Sequence, residues 1–150
     1  MNILIVDDDE YKIDQIKRAI RDTLPDATVS DKRSYISGLV EIMDIPFDLV
    51  LLDMTMPNYD MTDALSAGDV RLFAGENILD EMRREGVRTK ALIITQFSVF
   101  GQSEDQTTLD ELKIRLSLSF PDNYMGTIYF SASESKWREQ LVGFLRELSR

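Results

Sequence analysis

Two hydrophobic patterns alternate along the chain. "NILIV" (2–6) is a short, nearly unbroken apolar run that ends in acids, the pattern of a strand covered on both faces. "YKIDQIKRAIRDTL" then spaces Ile13, Ile16, Ile20 and Leu24 by 3, 4 and 4 residues, which places them on one helix face. "ATVS" (27–30) reads as a strand, and "SYISGLVEIM" (34–43) as a helix with Ile36, Leu39, Val40 and Met43 inward. "FDLVLL" (47–52) is again a buried strand. "GENILDEMRREG" (75–86) predicts a helix with Ile78, Leu79 and Met82 inward and Gly86 as its stop. The strand "ALIIT" (91–95) follows, then the helix "TLDELKIRLSL" (108–118) on Leu109, Leu112 and Leu116. The strand "GTIYFS" (126–131) precedes a last helix (135–148) carrying Trp137, Leu141, Phe144, Leu145 and Leu148 on one face.

Strict strand–helix alternation implies right-handed crossovers, so the predicted architecture is α/β, a five-stranded parallel sheet with helices on both faces. At 150 residues the chain fits one domain, 1–150. In open sheets of this kind the functional crevice lies beyond the carboxyl ends of the strands. The first strand ends in Asp7, Asp8, Asp9 and Glu10, the third in Asp53, the fourth in Thr95 and Gln96, and the fifth in Ser131, Ala132 and Ser133.

If the first and third strands are neighbours, three carboxylates crowd one pocket. Like charges that close resist joint ionisation unless a cation neutralises them. Carboxylate and carbonyl oxygens are hard ligands suited to magnesium. The plainer alternative is that the run from Asp7 to Glu10 caps the first helix.

Charge and composition narrow the chemistry. The net charge of −10, from 27 acids against 17 bases, disfavours nucleic acid or an anionic membrane as partner. With no cysteine and no histidine, thiol catalysis, disulfides, Cys- or His-based zinc and any internal phosphohistidine are excluded. There is no membrane-length apolar stretch and no signal-peptide pattern, so the expected location is cytoplasmic.

"ILIVDDDE", "DLVLLDMTMP" and "ALIIT", in that order, resemble the receiver domain of bacterial response regulators, over nearly the whole chain. The resemblance implies a flavodoxin-like fold with strand order 2-1-3-4-5. It implies Asp53 as phosphoacceptor, with Mg2+ held by Asp7, Asp8, Asp53 and the backbone carbonyl of Thr55. Thr95 would hydrogen-bond the phosphoryl group, Tyr129 would be the aromatic switch residue, and Pro57 would shape the loop after the acceptor. The implied donor is a histidine kinase or phosphotransfer protein. Output would pass through contacts with an unknown downstream protein, or the domain would act as a phosphoryl shuttle or sink. The expectation is a stand-alone receiver, since the chain ends after the fifth helix, and a monomer or weak dimer.

The pattern also departs from that family. The usual lysine after the fifth strand is missing from "YFSASESKW". Lys136, 5 residues beyond Ser131, is the candidate substitute, and the favoured alternative is a surface lysine. Gln96 stands where a small residue is usual and is followed by Phe97, and two bulky groups there predict a slowly hydrolysed acyl phosphate. Insertions are expected at about 58–74 and 97–125, with Leu65, Val70, Leu72, Phe73, Phe97, Val99 and Phe100 as candidates for a lid or a partner surface. Two other readings follow. One is a phosphorylation-independent pseudo-receiver. The other is an aspartate-nucleophile phosphohydrolase of the haloacid-dehalogenase type, disfavoured because Thr55 stands where its second aspartate is needed.

Overall fold

In the computed structural model, residues 1–60, 69–101 and 106–150 are described, and Leu65 lies outside them. The elements run β1 (Asn2–Val6), α1 (Glu10–Thr23), β2 (Thr28–Lys32), α2 (Tyr35–Asp44), β3 (Leu49–Leu52), β4 (Met56–Pro57), β5 (Val70–Arg71), α3 (Ala74–Arg84), β6 (Lys90–Thr95), β7 (Val99–Phe100), β8 (Thr107–Thr108), α4 (Leu109–Ser119), β9 (Tyr124–Tyr129) and α5 (Lys136–Leu148). The main sheet is parallel throughout, in the order β2-β1-β3-β6-β9. Counting only the strands of that sheet, this is the expected 2-1-3-4-5 order.

Alternation of side chains across each strand divides the core into two layers. Leu4, Val6, Val50, Leu52 and Ile93 pack with Ile42, Ile78, Leu79, Met82, Leu112 and Leu116 on the side of α2, α3 and α4. Ile3, Ile5, Leu49, Leu51, Leu92 and Ile94 pack with Ile13, Ile16, Ile20, Trp137, Leu141 and Leu145 on the side of α1 and α5. Burial on both faces explains the continuous apolar runs of the central strands.

Helix boundaries follow local chemistry. Asp9 caps α1 by accepting from the Lys12 backbone N–H, and Ser34 and Ser37 form a reciprocal capping box on α2. Gly86, at φ +70°, ends α3: its N–H donates to the Arg83 carbonyl while that of Val87 donates to Met82. This is the paired-bond stop that a glycine in the left-handed region allows.

Helix α2 departs from the predicted face. Tyr35, Gly38 and Ile42 are buried, Leu39 is only partly buried, and Ile36, Val40 and Met43 are exposed. The reason is Gly38: a Cβ there would stand 2.4 Å from Val6 Cγ1, so the bare glycine lets the helix press directly onto β1. A pattern that scores only large apolar side chains misses a contact made by an absent one.

The two insertions begin as antiparallel ribbons. Strand β4 pairs with β5, and β7 with β8. The first ribbon is anchored by Arg71, whose Nε donates to Asn58 Oδ1 (2.6 Å) and whose guanidinium lies 4.0 Å over the Tyr35 ring. The Phe73 and Phe100 rings, 6.2 Å apart, bring the two insertions together.

Candidate functional site

Sheet register places the acids. The Asp53 N–H donates to the Val6 carbonyl (3.0 Å) and that of Asp7 to Lys32 (3.0 Å), each continuing the ladder one residue past its strand. The carboxyls of Asp7, Asp8 and Asp53 thereby converge, offering one oxygen each within 4.8 Å of one another. Asp7 and Asp53 are buried and Asp8 is exposed at the rim.

The acidic run after β1 therefore divides its work. Asp9 is the helix cap, as the plainer reading required, and its own N–H donates to Asp7 Oδ1 (2.9 Å). Asp7 and Asp8 turn toward Asp53 instead. A cavity of about 390 Å³ opens over the cluster, lined by Asp8, Asp9, Asp53, Thr55, Met56, Pro57, Val70, Gln96 and Phe97. The Gln96 amide donates to Asp9 Oδ2 (2.6 Å), fixing that side chain across the mouth.

Electrostatics match this crowding. Burial pushes the Asp53 carboxyl up to about 7; Lys12 opposes the rise and Asp7 adds to it. Asp8 is raised, first by partial desolvation against the cavity wall and then by Asp7. For Asp9 desolvation is the largest influence and acts upward, but hydrogen bonds from the Lys12 backbone and Gln96 outweigh it and hold the carboxyl low. The donor set fits a small hard cation: three carboxylate oxygens within reach of one point, with room for water in the cavity. Around Asp53, polar contacts among the described residues fall on Oδ1, from the Met54 N–H (2.8 Å) and the Lys12 ammonium (3.3 Å).

The other predicted residues are placed as follows. Thr95 is buried at the end of β6, where its Oγ1 accepts from the Phe97 N–H (3.2 Å). Tyr129 is its register partner on β9, with the ring exposed. Thr55 follows Asp53 by two residues, and its hydroxyl donates to the Leu72 carbonyl (2.9 Å), tying the acceptor loop to the first insertion. Lys136 begins α5 and lines a different cavity with Tyr129, Ser131 and Trp137, away from the acids.

The residue that sequence reading missed is Lys12. It is completely buried, with Nζ 2.7 Å from Asp7 Oδ2 and 3.3 Å from Asp53 Oδ1, and it donates to the Ile94 carbonyl at 2.6 Å. A signal was present: Lys12 stands four residues before Ile16 and seven before Ala19, on the buried stripe of α1. Lysine is almost never fully buried without a charged partner, so a lysine in a core position points to one.

Comparison with known proteins agrees with this architecture. No family model matches the sequence. The chain is 30% identical to the Detocs response regulatory protein DtcB of Enterobacter cloacae, over 99% of this chain and 100% of that protein. It is 26% identical to the uncharacterized protein y4jR of Sinorhizobium fredii, over the full length of both. Among solved structures, the receiver domain of the Francisella response regulator 1452 matches with a TM-score of 0.64 at 20% identity, covering 98% of this chain and 94% of that one. The phosphorylated cyanobacterial phytochrome response regulator RcpA matches with a TM-score of 0.68 at 18% identity, covering 99% and 93%. With a sheet in receiver order, an acid cluster at its carboxyl edge and a full-length relative of that kind, the chain belongs to the response-regulator receiver family.

Proposed function

We propose that this receiver accepts a phosphoryl group on Asp53 in a Mg2+-dependent reaction. The observation that carries the reading is the convergence of Asp7, Asp8 and Asp53 beneath an open cavity at the sheet's carboxyl edge. A carboxylate oxygen of Asp53 attacks phosphorus. The bond from phosphorus to the donor breaks, its electron pair leaves with the donor, and an acyl phosphate forms. Bound to Asp7, Asp8, Asp53 and the Thr55 carbonyl, Mg2+ would neutralise charge on the transferring group. The Thr95 hydroxyl, whose oxygen accepts from Phe97, keeps its own proton free to donate to a phosphoryl oxygen. Tyr129, the register partner of Thr95 on β9, is the aromatic side chain that changes position in response, a role supported by that adjacency.

The donor lies outside this chain, which has no histidine; membership of the receiver family supports a partner histidine kinase or phosphotransfer protein in that role. The same membership supports output through contacts with a downstream protein, or service as a phosphoryl shuttle or sink. One observation favours the phosphorylation-independent alternative: a lysine already pairs with Asp7 and Asp53. Incubation with Mg2+ and acetyl phosphate separates the two. Intact-mass spectrometry is expected to show one phosphoryl adduct that is absent from Asp53→Asn. No adduct on the wild type, with no beryllofluoride binding, would establish the pseudo-receiver.

A further inference from the structure

Lys12 is a fully buried cation that the expected receiver pattern does not contain. Its three ammonium protons face three acceptors from three neighbouring strand ends: Asp7 Oδ2 after β1, Asp53 Oδ1 after β3, and the Ile94 carbonyl in β6. On the opposite side of the site, where a lysine is missing, Ser131 and Ser133 pair with each other at 3.1 Å. Lys136 lines a separate cavity there. The site therefore draws its positive charge from the first turn of α1.

We propose that Lys12 is the residue that binds the phosphoryl group on Asp53, reaching it from the first helix in place of a lysine after β9. This rests on the phosphoacceptor reading above. Attack by Asp53 turns its carboxylate into an acyl phosphate. The carboxyl oxygens lose most of their negative charge, and the charge now lies on the phosphoryl oxygens, beyond phosphorus and two bonds out from the bridging oxygen. The Lys12 proton now aimed at Oδ1, its longest contact at 3.3 Å, is released to follow that charge, while Asp7 holds the ammonium in place at 2.7 Å. The bond to the Ile94 carbonyl, one residue before Thr95, anchors the ammonium at the end of β6 as well. Before phosphorylation the same ammonium shares Asp7 and Asp53 with any divalent cation and competes with it.

These two roles predict opposite responses to one substitution. Wild type, Lys12→Met, Lys12→Gln and the control Lys136→Met are titrated with Mg2+ by calorimetry. They are then titrated with beryllofluoride at saturating Mg2+, read by 19F NMR. Both Lys12 variants are expected to bind Mg2+ as tightly as wild type or more tightly. They are expected to lose about 10- to 100-fold in beryllofluoride affinity, the effect of one charge-assisted hydrogen bond. Lys136→Met is expected to match wild type. Undiminished beryllofluoride binding in the Lys12 variants would overturn the inference alone. Parallel loss of both ligands marks a structural role and overturns it too. Failure of the wild type to bind beryllofluoride would sink the phosphoacceptor reading and the inference with it. If neither variant folds, the wild type decides: the slowly exchanging buried ammonium gives a lysine 15Nζ resonance. Beryllofluoride must shift that resonance beyond the effect of Mg2+ alone, and no added shift refutes the assignment.

Discussion

Removing the charge of Asp53 is expected to stabilise the metal-free protein, and to do so only above a defined pH. In the unfolded chain this carboxyl titrates at its ordinary 3.8, whereas in the fold burial holds it protonated up to about 7. Between those values the native state binds more protons than the unfolded one, so stability falls as pH rises through the window and levels off above it. At roughly 1.4 kcal/mol per pH unit, that interval corresponds to about 4 kcal/mol as a ceiling, and solvent relaxation brings the expected effect to about 2–4 kcal/mol. The attraction of Lys12 is already included, since it works against the rise. Asp53→Asn keeps shape and hydrogen-bonding capacity but cannot ionise. Urea denaturation of both proteins in EDTA, from pH 4 to pH 8, should give nearly equal stabilities at the acid end. At pH 8 the variant should be more stable by that amount. Mg2+ at about 100 times its dissociation constant should restore roughly 2.7 kcal/mol to the wild type and much less to the variant. Parallel pH profiles for the two proteins would refute the claim that a desolvated Asp53 charge strains this site.

Three further outcomes follow from particular contacts. Gly75→Ala gains about 1 kcal/mol of helix propensity. Its Cβ, however, would stand 2.7 Å from the Asp53 backbone carbonyl, which cannot yield as a side chain can, so a net loss of about 1–2 kcal/mol and slower phosphorylation are expected; an unchanged melting temperature would count against this. Arg71→Ala removes the bond to Asn58 and the stacking on Tyr35, and thermal melting should register a loss of about 1–2 kcal/mol. Gln96→Ala and Phe97→Ala, which clear two side chains from the cavity mouth, should shorten the lifetime of the acyl phosphate. Equal decay rates in wild type and variants would mean that neither residue limits the approach of water.

The sequence by itself determined the sheet and most of its coverings. Continuous apolar runs in Ile3–Val6, Leu49–Leu52 and Ala91–Ile94 can bury both faces only in a sheet with helices on either side; that Asp7, Asp8, Asp53 and Thr95 gather at its carboxyl edge depends on the strand order, which the receiver resemblance implied and the sheet shows. Hydrophobic period and the succession of strands and helices are local properties, and a single chain displays them. Tertiary structure decided what depends on close approach across the fold. Gly38, with no side chain to score, turned α2 by letting it rest on Val6. The four two-residue strands of the insertions carry too few residues to show a period, and they exist through cross-chain pairing such as Met56 with Arg71. Lys12 is the clearest case. Its position on the apolar stripe of α1 was visible in the sequence, but its meaning was not. A lysine becomes a buried counter-ion only when Asp7, Asp53 and the Ile94 carbonyl, separated by up to 82 positions from it along the chain, close around its ammonium.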